Sequence, residues 1–267
     1  RRLPERTGRD PATALQHRRR GCAQRRAGRG RRGSHPLLRQ GDRGHRDRAA
    51  RRAAQPARDA GGADRAYLYD TAGDDDFAGT STYSRMLGDG YYNYTTGFEL
   101  VYSYGLAGGN DTATFYDSAG DDDFVSTPTY SRLMGDGYYN YSRGFENVTA
   151  HATAGGNDVA KLYDSAGDDQ FIARPEYGRL RGAGFDNWAR GFDTVDAYST
   201  AGGTDTAYIY DSAGDDLFTA RPDYGRLAGE GYSNTANLFD RVYAYATKGG
   251  TDLAYIYDSA GDDYFVS

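Results

Sequence analysis

The sequence repeats itself every 47 residues after residue 60, and this period constrains the fold more than any other feature. The string Tyr-Asp-(Ser/Thr)-Ala-Gly-Asp-Asp begins five times at this interval, at Tyr69, Tyr116, Tyr163, Tyr210 and Tyr257. Repeats of this length indicate a solenoid, in which each unit buries its apolar side against the next. We therefore divide residues 61–267 into four repeats and part of a fifth, with the bounds 61–107, 108–154, 155–201, 202–248 and 249–267.

Each repeat divides into four quarters of 11 to 13 residues, and three of them carry the pattern Gly-x-acid-x-apolar. Between residues 191 and 242 these motifs begin at Gly191, Gly203, Gly214 and, with Leu in place of Gly, at Leu238, and the quarter around Gly225 lacks the acid. After each acid, apolar side chains alternate with polar or tyrosine side chains, which indicates β-strands separated by Gly-rich turns. The sequence therefore predicts an all-β fold, a parallel β-solenoid of the β-roll or β-helix type.

Apolar side chains at fixed positions of the repeat are the predicted core. If two quarters make one coil, equivalent residues of successive repeats stack in ladders, and the array holds roughly nine coils over about 40 Å. The predicted ladders are Phe77, Phe124, Phe171, Phe218 and Phe265; Phe98, Phe145, Phe192 and Phe239; and Val101, Val148, Val195 and Val242.

Acidic residues are concentrated at the predicted turns, and residues 61–267 hold 33 acidic against 13 basic residues. Calcium is one interpretation, because Ca²⁺ takes oxygens from carboxylates and backbone carbonyls, and a Gly-x-Asp turn offers both. The other interpretation is that each Asp caps the backbone through an Asx turn. Zinc is not expected, because His151 is the only histidine after residue 60 and no cysteine lies there.

The Gly-x-Asp-x-apolar turns resemble those of the repeats-in-toxin (RTX) family, whose nonapeptide is G-G-x-G-x-D-x-U-x. The step in this chain is 11 to 13 residues instead of nine. The resemblance implies several Ca²⁺ ions bound at β-roll turns, and an extracellular or cell-surface place in a large secreted bacterial protein. It implies as calcium ligands the acids two residues after a glycine, which are Asp75, Asp111, Asp122, Asp158, Asp169, Asp205, Asp216, Asp252 and Asp263.

Repetition of the acid pairs argues against an enzyme, because a catalytic site is a single asymmetric set of residues. We expect a non-catalytic structural module that serves as a spacer, adhesive stalk or export folding aid, with other domains of a longer chain as its partners. The first alternative is a glycan- or surface-binding module, and the second is an appendage of a polysaccharide-acting or proteolytic secreted enzyme. The candidate surface-binding residues are the outward tyrosines Tyr69, Tyr116, Tyr163, Tyr210 and Tyr257.

Residues 1–60 have a different composition, with 19 Arg, no Lys, five acidic residues and no aromatic residue. No apolar period runs through them, so we expect this segment to be disordered on its own. It is interpreted either as a non-native sequence read in a wrong frame, as a linker, or as an arm that binds nucleic acid or another polyanion. Nucleic acid is expected as a partner only through this segment. No stretch approaches 18 apolar residues, so we expect no membrane span.

Overall fold

A computed structural model describes residues 62–261 of the chain, which form 21 β-strands and no helix. The predicted Arg-rich segment 1–60, the predicted calcium ligand Asp263 and the predicted core residue Phe265 lie outside the described residues.

Each complete repeat contributes five strands of four to six residues. The first repeat contains β1 (Arg65–Tyr69), β2 (Asp76–Gly79), β3 (Tyr83–Gly88), β4 (Tyr91–Thr96) and β5 (Leu100–Tyr104). The second contains β6 (Thr112–Tyr116), β7 (Asp123–Ser126), β8 (Tyr130–Gly135), β9 (Tyr138–Arg143) and β10 (Asn147–His151). The third contains β11 (Val159–Tyr163), β12 (Gln170–Arg174), β13 (Tyr177–Gly182), β14 (Phe185–Arg190) and β15 (Thr194–Tyr198). The fourth contains β16 (Thr206–Tyr210), β17 (Leu217–Arg221), β18 (Tyr224–Gly229), β19 (Tyr232–Asn237) and β20 (Arg241–Tyr245), and β21 (Leu253–Ile256) begins the fifth.

The strands form two sheets, and the chain crosses from one sheet to the other at each Gly-x-acid motif. Sheet I has the strand order β1-β5-β9-β8-β7-β11-β15-β19-β18-β17-β21, and sheet II has the order β20-β16-β12-β13-β14-β10-β6-β2-β3-β4. Strands from successive coils pair in parallel, as β1 does with β5 and β5 with β9. The predicted all-β solenoid of stacked parallel coils is confirmed.

Three consecutive strands of each repeat stay in one sheet and form an antiparallel meander, which the sequence analysis did not predict. In the first repeat β3 pairs antiparallel with both β2 and β4. The middle strand is the quarter that lacks the acid, so the chain turns back where it has no Gly-x-acid corner. The turn between β3 and β4 is Asp89-Gly90, with Gly90 at φ 78°. Asp-Gly between alternating strands is a strong hairpin signal, since glycine adopts positive φ without a steric penalty.

The predicted stacking of equivalent residues is wrong. Residues that pair in parallel neighbours are 35, 36 or 39 positions apart, as Ala66 is from Val101 and Val101 from Asn140. Each repeat makes three passes: its first strand, its meander and its fifth strand. Because three is odd, equivalent residues of consecutive repeats lie in opposite sheets, with Phe77 in sheet II and Phe124 in sheet I. At about 4.8 Å per strand, the 11 strands of sheet I span about 50 Å rather than 40 Å.

The core is a layer of apolar side chains between the two sheets. Phe77, Phe124 and Phe171 are at most 1% exposed and belong to one continuous cluster. Phe145 packs on Phe77 with ring centroids 6.2 Å apart. Phe98 occupies the position of Phe145 in the first repeat, and it is 41% exposed because no earlier repeat among the described residues covers it. The predicted core residues are therefore buried wherever a neighbouring repeat covers them.

Asparagine occupies one buried position of the repeat and ties the two sheets together. Asn140 is 1% exposed, and its Nδ2 donates a hydrogen bond of 2.9 Å to the carbonyl of Thr80, in the turn between β2 and β3. Asn187 and Asn234 make the same bond one and two repeats later. The bond satisfies a turn carbonyl that faces the interior, where an unpaired polar group is costly.

We expect Asn140→Ala to lower the free energy of unfolding by about 1–3 kcal/mol, because it leaves the Thr80 carbonyl without its donor. Asn93→Ala is the matched control, since Asn93 occupies the same position in the first repeat but is exposed. Its effect should stay within about 0.5 kcal/mol. Urea unfolding followed by circular dichroism measures both, and equal losses in the two variants would contradict the role given to this bond.

Candidate functional site

The acids of the Gly-x-acid motifs line up in two columns, one along an edge of each sheet. Each acid directly precedes a strand, and parallel neighbours begin at the same edge, so acids on adjacent strands lie side by side. A meander interrupts each column after every third acid, so the acids form triplets such as Asp122, Asp158 and Asp193. Column I contains Asp64, Glu99, Asp122, Asp158, Asp193, Asp216 and Asp252. Column II contains Asp75, Asp111, Glu146, Asp169, Asp205 and Asp240.

Within a column, the backbone N–H of one acid donates to the carboxylate of the acid in the next coil. Asp122 N donates to Asp158 Oδ1 at 2.9 Å, and Asp158 N donates to Asp193 Oδ2 at 2.8 Å. Asp75 and Asp111 make the same bonds in column II, the last of them to Glu146. Hydrogen bonds to an ionised acceptor are stronger than neutral ones, so these bonds join neighbouring coils within each triplet.

The first acid of a triplet is held by its own turn and, at Asp122 and Asp216, also by a tyrosine hydroxyl from the meander. Asp122 is 3% exposed and accepts hydrogen bonds from Ser118 N at 2.8 Å, Ser118 Oγ at 3.0 Å and the Tyr138 hydroxyl at 2.8 Å. Tyr138 reaches this carboxylate across Gly135, where a Cβ would collide with Asp122 Oδ1. The glycine therefore opens the path by which the hydroxyl reaches the carboxylate.

The other acids of the repeated string also cap the backbone of the next coil. Asp117 Oδ2 accepts from the N–H groups of Thr153 and Ala154, both at 2.7 Å. Asp121 Oδ1 accepts from Asn157 N at 2.9 Å. These caps connect residues 36 or 37 positions apart, so the acids join coils in addition to closing their own turns.

The structure places eight of the nine predicted calcium ligands in the two columns, and Asp263 lies outside the described residues. Seven of the eight are at most 3% exposed, and Asp252 in the last described coil is partly exposed. The predicted ligands did not include the third acid of each triplet, namely Glu99, Glu146, Asp193 and Asp240. The signal was present, because the first three of these follow the same Gly-x-acid pattern. Before Asp240, Leu238 replaces the glycine and adopts the positive φ of 61° itself.

The hydrogen bonds of the carboxylates can be compared with the ligand arrangement that a calcium ion requires. Asp122, Asp158 and their equivalents direct their oxygens at N–H and O–H donors, whereas a calcium cage requires several oxygens directed at one point. Among residues 62–261, no three side chains of His, Cys, Asp or Glu are arranged to hold one ion. These contacts are those of backbone caps, and calcium binding stays a prediction.

Two buried acids are destabilised when they are ionised. Burial raises the pKa of Asp158 to about 6; the N–H of Asp122 opposes this rise, and the carboxylates of Asp122, Asp117 and Asp193 add to it. Burial likewise raises the pKa of Asp111 to about 6, with Glu146, Asp70 and Asp75 adding to the rise.

The equivalent acid in the next repeat has one more donor. The Ser199 hydroxyl donates to Asp205 at 2.5 Å. Gly105 and Ala152 stand at this position beside Asp111 and Asp158, and neither offers a hydroxyl.

The five predicted surface tyrosines do not form one row. Tyr69, Tyr163 and Tyr257 lie along sheet I, whereas Tyr116 and Tyr210 lie along sheet II, because consecutive repeats alternate between the sheets. Tyr69, Tyr116, Tyr163 and Tyr210 each stack on the aromatic ring 35 residues later, with centroids 4.8–5.2 Å apart and planes within 14° of parallel. One face of each of these rings is therefore occupied by its neighbour.

No protein-family model matches this chain, and no curated protein resembles it significantly. Within residues 62–261 there is no helical segment long and apolar enough to cross a lipid bilayer.

We expect Tyr138→Phe to lower the free energy of unfolding by about 1.5–3 kcal/mol, because Asp122 loses a buried hydroxyl donor. The third repeat has Phe185 at this position, beside Gly182 and Asp169. The reverse change, Phe185→Tyr, should therefore raise stability by restoring the missing donor to Asp169. Denaturant unfolding measures both, and a neutral Tyr138→Phe together with a destabilising Phe185→Tyr would contradict this assignment.

The free energy of unfolding should rise by at least about 1 kcal/mol when the pH falls from about 7.5 to about 5. The folded pKa values of Asp111 and Asp158 are about 6, above the ordinary value of 3.8, so the folded state binds protons first in this interval. Ala152→Ser should reduce the rise, because the new hydroxyl stabilises the ionised form of Asp158. Urea unfolding at several pH values in a chelating buffer measures the effect, and a steady loss of stability over the same interval would contradict it.

Proposed function

We propose that residues 61–267 are a non-catalytic structural module, a spacer that sets a fixed distance between other parts of a longer chain. The observation that supports this most directly is the pair of carboxylate columns. The carboxylates that recur in every repeat accept hydrogen bonds that join one coil to the next.

Use of the acids as caps also supports a role without catalysis. A catalytic pair needs carboxylates that reach a substrate, and Asp122 and Asp158 are each 3% exposed and hydrogen-bonded to the chain itself. The more exposed partner in each acid pair, such as Asp121, also caps a backbone N–H. Acids cap backbone N–H groups in every repeat, as expected of residues whose role is to hold the coils together.

The contacts favour this role over the glycan-binding alternative on the predicted tyrosines. Sugar rings stack on free aromatic faces, but Tyr163 and Tyr210 each have a face covered by the tyrosine of the next coil. Those tyrosines are better explained as cross-strand pairs that add to the stability of the sheets. An extracellular or cell-surface location follows from the family resemblance alone and stays a prediction.

Circular dichroism of the full chain in a chelator and in calcium tests the proposal, with magnesium as the control ion. We expect the β-sheet signal to be present in the chelator, because N–H and O–H donors already satisfy the carboxylates. A transition from coil to β-sheet that occurs only with calcium would show that the caps do not suffice and would favour the calcium-coupled interpretation.

Asp158→Asn sharpens this test, since the amide keeps an acceptor oxygen for Asp122 N but removes the buried charge. If the columns act as caps, this variant should be as stable as the natural chain, or more stable, near neutral pH. Asp121→Asn is the control, because Asp121 caps a single exposed N–H. If calcium joins the coils, Asp158→Asn should instead abolish a calcium-dependent gain in stability.

A further inference from the structure

The outer face of the third meander departs from the other three. In sheet II, one line of side chains runs across six neighbouring strands, and we call it the cationic row. It consists of His151, Arg190, Tyr177, Arg174, Tyr210 and Tyr245, which lie side by side on β10, β14, β13, β12, β16 and β20.

Two arginines in one row distinguish this meander. The positions of Arg190 and Arg174 hold Thr96 and Thr80 in the first repeat, so no charge stands there. In the second repeat they hold Arg143 and Thr127, and in the fourth Asn237 and Arg221. Only the third of the four described meanders therefore carries a guanidinium at both positions.

The guanidinium groups of the row are held in place by aromatic rings. Arg174 Cζ lies 4.1 Å from the centroid of the Tyr210 ring, and Arg190 Cζ lies 4.2 Å from that of Trp188. A guanidinium packed on a ring is stabilised by the cation–π interaction and keeps its N–H donors at its edge. Little side-chain entropy is then lost when an anion binds to those donors.

The positive charge of the two arginines is not neutralised by the described part of the chain. Arg179, on the same meander, pairs with Asp186, and Arg181 donates to Gln170. Neither Arg174 nor Arg190 has a carboxylate within ion-pair distance among residues 62–261. Burial and the charge of Arg190 lower the pKa of His151, which disfavours the protonated imidazole at this end of the row.

The cationic row runs along the axis of the solenoid, which is the arrangement needed to contact a linear partner at more than one point. Arg190 and Arg174 are two strands apart, which places them about 10 Å from each other along the axis of the solenoid. The row carries two arginines and no acid, so it complements an anionic chain that lies along the axis, whereas the acids that predominate elsewhere in the array would repel such a chain.

The orientation of the rings decides between two kinds of polyanion. Proteins that bind single-stranded nucleic acid stack bases on free aromatic faces. In this row Tyr210 is covered by Arg174 on one side and by Tyr245 on the other, at 4.8 Å. What remains for a partner is a line of N–H and O–H donors, which suits carboxylate or sulfate groups on a sugar chain better than nucleobases.

We propose that the cationic row binds a linear acidic polysaccharide, with Arg174 and Arg190 donating hydrogen bonds to its carboxylate or sulfate groups. This activity is independent of the spacer role, because no residue of the row belongs to the carboxylate columns. A chain with the row removed would keep its coils and lose only the ligand.

Trp188 is the only tryptophan of the chain and contacts Arg190, so its fluorescence reports binding at this face in the full-length protein. The probes are heparin fragments and polygalacturonate, which separate sulfate from carboxylate recognition. Neutral dextran and an oligothymidylate of similar length serve as controls. We expect a saturable change in Trp188 fluorescence with at least one acidic polysaccharide, weakened by added salt, and none with dextran.

Matched double variants assign the binding to the row. Arg174→Gln/Arg190→Gln should weaken binding at least about tenfold. Arg143→Gln/Arg221→Gln removes the same charge at the same repeat positions in sheet I, and it should change the affinity less than about twofold. If the first double variant loses β-sheet signal, Arg174→Gln alone takes its place and should give a smaller loss in the same direction.

Three results would overturn the proposal. The first is no fluorescence change with either acidic polysaccharide. The second is an equal loss of affinity in both double variants, which would indicate diffuse attraction to the chain. The third is tighter binding of oligothymidylate that depends on Arg174 and Arg190, which would assign the row to nucleic acid.

Discussion

The hydrogen bond from the backbone of one acid to the carboxylate of the next is the interaction on which the rest of the structure depends. Burying an ionised carboxylate is costly unless donors replace the lost water. Asp158 obtains one such donor from Asp122 and offers its own N–H to Asp193, so the middle acid of a triplet is both capped and capping. A change at Asp158 therefore affects the acids on both neighbouring coils.

The odd number of passes in each repeat explains why one sequence unit builds two equivalent sheets. The chain changes sheet at each of its three Gly-x-acid motifs, so the second repeat begins in the sheet opposite to the first. Ninety-four residues, not 47, return a position to the same sheet. A residue that occurs in one repeat only therefore changes the surface of one sheet only, as His151 and Trp188 do on sheet II.

Local patterns predicted an all-β chain, its core positions and eight of the acids in the columns, because each depends on neighbours close in sequence. Alternation identified the buried side of Phe124 and Val148, and glycine placed Asp111 at a turn. Stacking could not be predicted in this way, because it depends on whether the chain crosses over or turns back after each strand. The Asp89-Gly90 hairpin signal and the missing acid around Gly225 contained that information. Without the meander, a coil of two quarters was the simpler interpretation, and it paired the wrong residues.

The residues at the edges of the sheets and those on the outer faces differ in how freely they can change, and this difference determines where new functions can arise in the array. Most acids at the edges cannot vary freely, since they satisfy a backbone N–H in another coil or in their own turn. Outward side chains on the sheets vary more, and Thr96, Arg143, Arg190 and Asn237 occupy one position in four successive repeats. Asn237 alone of these four donates to a carbonyl of another coil, that of Ala197. The edges therefore preserve the solenoid while the faces are free to acquire charge. This is why a binding row such as that of Arg174 and Arg190 can arise in one repeat without disturbing the coils.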